Sequence, residues 1–356
     1  MNLSEMRSRM DELGAKPVHV GRLLRAWLAG QDLPRESRGR EAPFPRRVLD
    51  DMAALETDLA AIATPLSDHE GEDGSSRLLL RLADGKTVET VLLPREGLCI
   101  STQVGCAVGC TFCWTGREGL LRNLTSAEIV AQVAVARRRR PVRRVVLMGM
   151  GEPAHNLAEV LEALSLLGAE GRLGHKQLVF STIGDRRVFE RLPSNDVKPA
   201  LAISLHTTDA GKREKLLPRA PRIAPEELID LAEAYARRTT WPIQYQWTLL
   251  EGVNDGDDEL ERLGELMQGR YGVVNFIPYN NVDGLDYRRP SVERAREMSR
   301  FLHRRGVLAK IRRSAGQDVE GACGQLRSRN TLPGQFLRHP SSDSAHATTF
   351  SGCRKN

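Results

Sequence analysis

Three cysteines with metal-binding spacing stand in the first half of the chain. Cys106, Cys110 and Cys113 lie four and three residues apart in the stretch VGCAVGCTFCWTG. Structural zinc sites usually take four ligands from two CxxC pairs, and the sequence has no second pair. Three thiolates on a four-iron cluster leave one iron open, and that iron can chelate the amino and carboxylate groups of S-adenosylmethionine (SAM) and pass it an electron. The spacing therefore predicts a [4Fe-4S] cluster that binds SAM, with zinc completed by Cys99 or a histidine as the alternative.

Two further cysteines stand apart from this triad. Cys99 precedes its first member by seven residues, and Cys323 lies among small residues in EGACGQL, which predicts a flexible loop where a thiol can reach a substrate. On residue type alone, ordinary buried thiols are the alternative for both. Glu89, in TVETV, is by composition an exposed strand carboxylate. The residues by themselves leave these three roles open.

Short polar residues close several apolar runs farther along the chain. The segment GMGEP (149–153) follows one such run and predicts a tight turn that carries a carboxylate. Ser181, Ser204 and Asn280 end three others, where each could cap the next helix. His206 alone is more typical of a hydrogen-bonded structural histidine than of a metal ligand. These residues become candidates for a site only if the fold brings them together.

Apolar runs alternate with helical patterns from about residue 98 onward. The strand-like runs are 98–102, 144–148, 177–181, 199–204, 243–249, 273–278 and 307–312. The helical patterns are 126–136, 157–167, 225–236, 258–267 and 292–303. Such alternation predicts parallel βαβ units. We therefore expect an α/β fold with about seven parallel strands in a full or partial (β/α) barrel, whose site lies at the carboxyl ends of the strands.

The N-terminal part has a different pattern. Ser4 can cap a short amphipathic helix, and two further helical patterns cover residues 18–29 and 45–62. Residues 67–76 (SDHEGEDGSS) have almost no apolar side chain and predict a linker. A small helical accessory domain at the N-terminus follows from this pattern.

The remaining segments complete the predicted domain organisation. Two β-rich runs, 77–82 and 87–93, predict a hairpin. The C-terminal tail is rich in Ser, His, Thr and Pro without periodicity, which predicts disorder. We expect an accessory, RNA-binding domain at residues 1–66, a catalytic domain at 77–326 and a disordered tail at 327–356.

The composition limits the class of protein. The 356 residues carry a net charge of +6, and 40% are hydrophobic, which is typical of a globular protein. The chain has no run of about 18 apolar residues, and charged residues occupy the segment where a signal peptide needs an apolar stretch. We therefore expect a cytoplasmic protein without a membrane partner, in which the cysteines are reduced.

One segment is dense in positive charge. Six arginines fall within eight residues: Arg137, Arg138, Arg139, Arg140, Arg143 and Arg144. A patch that contacts nucleic-acid phosphates and a solvated helix C-terminus explain this density equally well.

The chain resembles the RlmN/Cfr family of radical SAM RNA adenine methyltransferases over roughly residues 3–326. Beside the CxxxCxxC triad, the resembling segments are GLLRNLTSAEI (119–129), GMGEP (149–153), FSTIG (180–184), LAISLH (201–206), LLEGVND (249–255), NFIPYN (275–280) and GQDVEGACGQL (316–326). The resemblance implies a partial barrel of the radical SAM type with the cluster on the triad.

The resemblance also implies roles for individual residues. Gly151 and Glu152 would hold the methionine amino group of SAM. The full set of implied SAM contacts is Gly151, Glu152, Ser181, Ser204, Leu205, His206 and Asn280. Cys323 would carry a methyl group, Cys99 would be the resolving thiol, and Glu89 would accept a proton.

A methyl carrier meets a chemical need. An adenine C–H carbon is not nucleophilic enough to take a methyl group directly from SAM, whereas a thiolate is. The implied reaction uses two SAM molecules: the first methylates Cys323, and the second is cleaved reductively to a deoxyadenosyl radical that removes hydrogen from the S-methyl group. The carbon radical adds to adenine, a base removes the ring proton, and Cys99 attacks Cys323 so that methylated RNA leaves as a disulfide forms.

The resemblance leaves the target less defined than the chemistry. Trp114 and Leu120 depart from the small residue and the phenylalanine that are common in the family. We expect methylation at C2 of adenine rather than C8, in ribosomal RNA with transfer RNA as a second substrate. The expected partners are this RNA and an electron donor such as flavodoxin or ferredoxin, and the expected state is a monomer. The alternatives are a radical SAM enzyme with a non-RNA substrate and a non-catalytic, metal-stabilised RNA-binding module.

Overall fold

The computed structural model describes residues 2–37, 39–117, 119–280 and 284–312. The helices are α1 (Leu3–Glu12), α2 (Pro17–Leu28), α3 (Arg46–Ala61), α4 (Ser126–Arg137), α5 (Leu157–Ala169), α6 (Arg186–Arg191), α7 (Ala210–Leu216), α8 (Pro225–Thr239), α9 (Asp257–Met267) and α10 (Val292–Arg304). The strands are β1 (Ala63–Glu70), β2 (Ser76–Leu82), β3 (Thr87–Leu93), β4 (Gly97–Cys99), β5 (Gln103–Gly105), β6 (Leu120–Asn123), β7 (Arg144–Leu147), β8 (Leu178–Thr182), β9 (Ala200–Ser204), β10 (Ile243–Leu249), β11 (Gly272–Pro278) and β12 (Ala309–Ile311).

The main sheet confirms the predicted α/β fold. Within the described residues it has ten strands in the order β1-β2-β3-β4-β7-β8-β9-β10-β11-β12. All pairs from β4 to β12 are parallel, so the seven strands predicted from the apolar runs are present and adjacent. The antiparallel strands β1, β2 and β3 extend one end of this sheet. Since β1 and β12 lie at opposite ends of the order, the barrel is partial.

The two faces of the sheet differ in composition. Residues opposite one another in paired strands share a face, and neighbours along a strand alternate. Leu178, Phe180, Leu201 and Ile203 belong to the large apolar core that the helices cover, here called the outer face. The opposite face carries a separate small cluster of Val146, Met148, Val179, Ala200 and Ala202. This inner face continues as Gln244 and Gln246 on β10.

The N-terminal helices pack together and against the helices of the barrel. Arg9 of α1 pairs with Asp51 of α3 at 2.7 Å, and Arg25 of α2 pairs with Glu170 at 2.7 Å. The prediction that Ser4 caps α1 is wrong, because Asn2 forms a capping box with Glu5 instead. None of the helices in the described ranges combines the length and the apolar character needed to cross a membrane.

The predicted linker at 67–76 is wrong as a structural assignment. Residues 67–70 end β1, which pairs with β2 through a tight turn, and Gly71 donates its N–H to the carbonyl of Ser75 at 2.8 Å. Polar residues are ordered here because they pair across the hairpin: Asp68 accepts from Ser76 and binds Arg139. The division into an accessory and a catalytic domain stays a prediction.

Candidate active site

The cysteine triad lies in the connection between β5 and β6. These two short strands pair antiparallel, and the loop closes where Cys106 donates its N–H to the carbonyl of Gly119 at 3.0 Å. Gly105 has a φ of +82°, and a Cβ there would lie 2.0 Å from that same carbonyl oxygen. Glycine is therefore required at the position that turns the chain into the triad.

The C-terminal end of α7 anchors this loop. Thr111 donates its N–H to the carbonyl of Leu216 at 3.0 Å, and Arg219 donates its N–H to the carbonyl of Val108 at 3.3 Å. Cys106 and Cys110 lie in one apolar cluster with residues of the loops that follow β8, β10 and β11. The triad therefore sits at the carboxyl edge of the parallel sheet, where the fold predicts the site.

The thiols of the triad are close enough to interact electrostatically. Burial raises the pKa of the Cys106 thiol to about 12 and that of Cys110 well above its usual value, and negative charge on Cys113 and Glu152 adds to both shifts. A bound metal would supply the positive charge that these buried thiolates need. Three thiols at one edge are thus a donor set that fits an iron–sulfur cluster with one open iron.

The zinc alternative gains no support from the geometry. Over the described residues, no three His, Cys, Asp or Glu side chains stand where one metal ion could bind them all. The cysteines of a four-iron cluster bind different irons and so stand farther apart than the ligands of one ion. The spacing of the triad in the chain favours the cluster.

Glu152 is buried at the end of the turn after β7. Its carboxylate accepts the N–H groups of Ala154 and Ile183, each at 3.0 Å. Burial raises the pKa of Glu152 to about 7, although hydrogen bonds from Thr182 and these backbone groups oppose the shift. The adjacent Gly151 has a φ of +102°, and a Cβ there would lie 2.6 Å from Gln103. The turn at Gly151 therefore packs directly against β5, the strand that precedes the triad.

Ser181, Ser204 and Asn280 do not cap helices, so this alternative is wrong for all three. The following helices are capped by Asp185, Asp209 and Ser291 instead. Ser181 lies opposite Ala202, and Ser204 lies opposite Gln246, which places both hydroxyl-bearing residues on the inner face. Asn280 follows β11 and accepts a hydrogen bond from Arg289 at 3.0 Å.

Leu205 and His206 follow β9, and His206 has the predicted structural hydrogen bond. Leu205 is buried, and the Nδ1 atom of His206 accepts the N–H of Thr248 at 3.0 Å. Burial, with the positive charge of Arg213, lowers the pKa of His206 to about 3, so the imidazole is neutral. Its ring meets that of Phe112, in the triad loop, edge-on at 5.0 Å.

Glu89 and Cys99 lie together on the inner face. Val91 is opposite Cys99, Glu89 is two residues from Val91 along β3, and Cys99 is opposite Val146. The expectation of an exposed Glu89 is wrong: its side chain is 2% exposed, and Oε2 lies 4.0 Å from Nε of Arg77. The pairing of β3 with β2 and β4 sets the face on which Glu89 lies, and that face is covered at this position.

Several buried polar residues that support the site escaped the sequence analysis. Gln132 on α4 accepts from the Thr90 hydroxyl at 2.7 Å and the Ser101 N–H at 2.8 Å, which joins β3 to the segment after Cys99. Gln103 accepts the N–H of Glu152 at 2.8 Å. Arg213 on α7 is buried beside the ends of β8 and β9. For Gln132, a lone amide in an otherwise apolar helix was an available signal.

The six-arginine segment mostly binds the protein itself. Arg144 is exposed at the start of β7, and the other five arginines contact residues elsewhere in the protein. The contacts are Arg137 with the carbonyls of Leu28, Val142 and Gly171, Arg138 with Asp32, Arg139 with Asp68, Arg140 with the carbonyls of Gly74 and Leu93, and Arg143 with Glu96. Carboxylates therefore pair with three of the six arginines that made this segment a candidate phosphate patch.

The predicted methyl carrier, Cys323, lies outside the described residues. Cys99, Cys106 and Cys110 have free thiols. The disulfide that the resemblance implies between Cys99 and Cys323 is thus not supported by the described part of the chain.

Comparison with known proteins places the chain among radical SAM proteins. Residues 100–264 match the family model "Radical SAM superfamily". A protein from Thiobacillus denitrificans, named "Probable RNA methyltransferase", is 64% identical over 329 residues, which cover 92% of this chain and 91% of that protein. One of the same name from Leptothrix cholodnii is 62% identical over 336 residues, covering 94% and 96%.

A solved structure has the same overall arrangement. A radical SAM methyltransferase from Sphaerobacter thermophilus superimposes with a TM-score of 0.79 at 33% identity, covering 91% of this chain and 97% of that one. With the triad at the carboxyl edge of a parallel sheet and relatives this similar over nearly their full length, the chain belongs to the radical SAM superfamily, in one family with these relatives.

Proposed function

We propose that the chain is a radical SAM RNA methyltransferase that methylates an adenine ring carbon through an S-methylcysteine on Cys323. The observation that carries this proposal is the placement of Glu89 and Cys99 on the inner face that also bears Ser181 and Ser204. A radical SAM enzyme without a thiol relay has no need for a buried carboxylate and a free thiol beside the cofactor edge. The names of the close relatives support RNA as the substrate.

Cys323 and the two inner-face residues Glu89 and Cys99 have separate tasks in this reaction. The Cys323 thiolate takes the methyl group from one SAM and later forms a bond to the adenine carbon through it. Glu89 removes the proton from that ring carbon. The adduct radical also loses one electron, which the bound cluster would accept. The Cys99 thiolate then attacks the Cys323 sulfur, so that an S–S bond forms and the S–CH₂ bond breaks, and the released carbon takes up a proton to become the methyl group of the RNA.

A separate set of residues would bind the cluster and SAM. Cys106, Cys110 and Cys113 would bind the [4Fe-4S] cluster, which when bound supplies the electron for cleavage of a second SAM. Gly151 and Glu152 would bind the methionine amino group. The remaining proposed contacts with SAM are Ser181, Ser204, Leu205, His206 and Asn280.

Two exposed arginines beside the triad loop suit RNA phosphates. Arg117 donates to the carbonyl of Gly284 at 3.3 Å and lies over the Trp114 ring at 4.9 Å, and Arg219 donates to the carbonyl of Ala107 at 3.2 Å. Neither has a carboxylate partner among the residues that the structure describes. We propose that they contact the RNA backbone at the mouth of the site, with residues 1–66 as an accessory RNA-binding domain.

The proposal includes the setting of the reaction. The enzyme would act as a cytoplasmic monomer and receive electrons from a flavodoxin or ferredoxin. Adenine C2 is proposed as the target carbon in ribosomal RNA, with transfer RNA as a second substrate.

Analysis of the modified nucleoside tests this function. Anaerobically reconstituted protein is incubated with SAM, dithionite and unmodified ribosomal or transfer RNA, and the digested RNA is examined by mass spectrometry beside C2- and C8-methyladenosine standards. We expect the C2 product with wild-type protein and none with Glu89→Gln, while Arg81→Gln on the neighbouring strand serves as the matched control. Coelution with the C8 standard alone would refute C2 as the methylated carbon. SAM cleavage without any methylated RNA would refute RNA as the substrate.

A further inference from the structure

Arg213 is a buried cation between two strand ends of the site. It lies on α7 with 4% of its surface exposed. Its Nη2 donates to the carbonyl of Ile183, just after β8, and to that of Ser204, the last residue of β9, at 3.3 Å. The guanidinium is therefore fixed at the edge that carries the proposed SAM contacts.

This cation lacks a carboxylate partner in the described structure. No ion pair within the described ranges includes Arg213, and its buried Nε atom makes no hydrogen bond there. Burial lowers the pKa of Arg213 to about 10, so the group still carries its charge at neutral pH. A buried, unpaired charge is costly unless an opposite charge lies nearby. The arrangement thus calls for an anion at this edge.

The triad loop is the place where such an anion would lie. Leu216, one turn after Arg213 on α7, binds the N–H of Thr111 in that loop at 3.0 Å. Negative charge on Cys110 and Glu152 interacts favourably with the guanidinium. His206 nearby is neutral and adds no charge.

We propose that Arg213 is the counter-charge of the iron–sulfur cluster and raises its reduction potential. This inference rests on the assignment of the cluster to Cys106, Cys110 and Cys113. One electron from a one-electron donor makes the cluster and its thiolates more negative by one charge, with no proton taken up. A fixed cation stabilises the more negative state because the site has a low effective dielectric constant. The competing role is a structural tie between β8 and β9, which would leave the potential unchanged.

Substitutions that separate charge from shape test the proposal. R213Q keeps a donor for the two carbonyls without the charge, R213M removes both, R213K keeps the charge, and R222Q at an exposed position is the matched control. The midpoint potential of each reconstituted protein is measured by an EPR-monitored dithionite titration, without SAM or RNA. Iron and sulfide content and circular dichroism are measured on the same samples.

In R213Q and R213M we expect the ratio of reduced to oxidised cluster at a fixed potential to fall about tenfold, which is 59 mV for a one-electron couple. R213K and R222Q should stay near the wild-type value. Loss of the cluster from folded R213Q and R213M, with its retention in R213K, would also support the proposal.

Equal midpoints in all cluster-bearing variants would overturn it, as would loss of the cluster or the fold in R213K. Because the titration contains no RNA, failure of the proposed methylation would leave this result unaffected.

Discussion

The two faces of the parallel sheet have different physical tasks, and adjacent residues of β8 illustrate the difference. Phe180 points into the large core between sheet and helices and is fully buried. Ser181, the next residue, lies on the inner face opposite Ala202. Since side chains alternate along a strand, one short segment supplies both the packing that stabilises the fold and the polar surface available for chemistry.

The same division holds on β4, the first strand of the parallel part of the sheet. Leu98 belongs to the outer core, and Cys99 after it lies on the inner face with Glu89. Stability and activity should therefore respond to different residues that are neighbours in sequence. Substitutions on the two faces test this separation.

Cys99→Ala should have the largest effect on activity. We expect turnover to fall by more than about 10³-fold, because no other thiol would release the product from Cys323. RNA covalently attached to Cys323 should accumulate, which gel shift and tryptic mass spectrometry would detect. Leu98→Ala should instead cost about 2–5 kcal/mol of unfolding free energy and preserve the activity of the folded molecules. Turnover of Cys99→Ala at the native rate would contradict its resolving role.

Phe180→Ala and Ser181→Ala, on opposite faces of β8, should change different properties of the protein. The first creates a cavity in the outer core and should lower the free energy of unfolding by about 3–5 kcal/mol. The second should change stability by less than about 1 kcal/mol and weaken SAM binding instead. Denaturant unfolding and equilibrium dialysis with SAM measure the two quantities. Similar stability losses in both variants would show that the faces are not independent.

His206 should make stability depend on pH. Burial, with the nearby Arg213 cation, lowers its pKa to about 3 in the folded protein, against about 6.5 when unfolded. The unfolded state therefore binds the proton first, so the contribution is complete above pH 6.5 and is lost as pH falls from there toward 3. The slope approaches about 1.4 kcal/mol per pH unit.

His206→Asn isolates this contribution. Asparagine can accept from Thr248 and tolerates the φ of +63°. We expect the variant to lose this part of the acid dependence in urea unfolding between pH 4 and 7. An unchanged pH profile would assign the acid sensitivity to other groups.

The smallest expected effect concerns the exposed arginines at the two edges of the sheet. Each of Arg117→Ala and Arg219→Ala should reduce the slope of log affinity for RNA against log salt by about one, since each would remove one phosphate contact. Arg138→Ala and Arg144→Ala, from the six-arginine segment, are the matched controls and should change the slope little. Filter binding at several salt concentrations shows which of the two regions contacts RNA phosphates.

The sequence by itself determined the features that depend on neighbouring residues. The triad was readable because cluster ligation needs three thiols in one short loop, and the seven parallel strands were readable because apolar runs and helical periodicity are local patterns. Charge density by itself left the role of the six-arginine segment open, since the acidic partners Asp32, Asp68 and Glu96 lie far away in the chain.

Only the tertiary structure decided the features that depend on which segments meet. Strand register buried Glu89 beside Arg77 and placed it on one face with Cys99. Asp185 and Asp209 cap the helices that follow Ser181 and Ser204, so these serines do not have the capping role that the local pattern allows. A hydrogen bond or a buried charge acquires its partner from strands and helices distant in sequence, so its role is set by long-range packing rather than by local pattern.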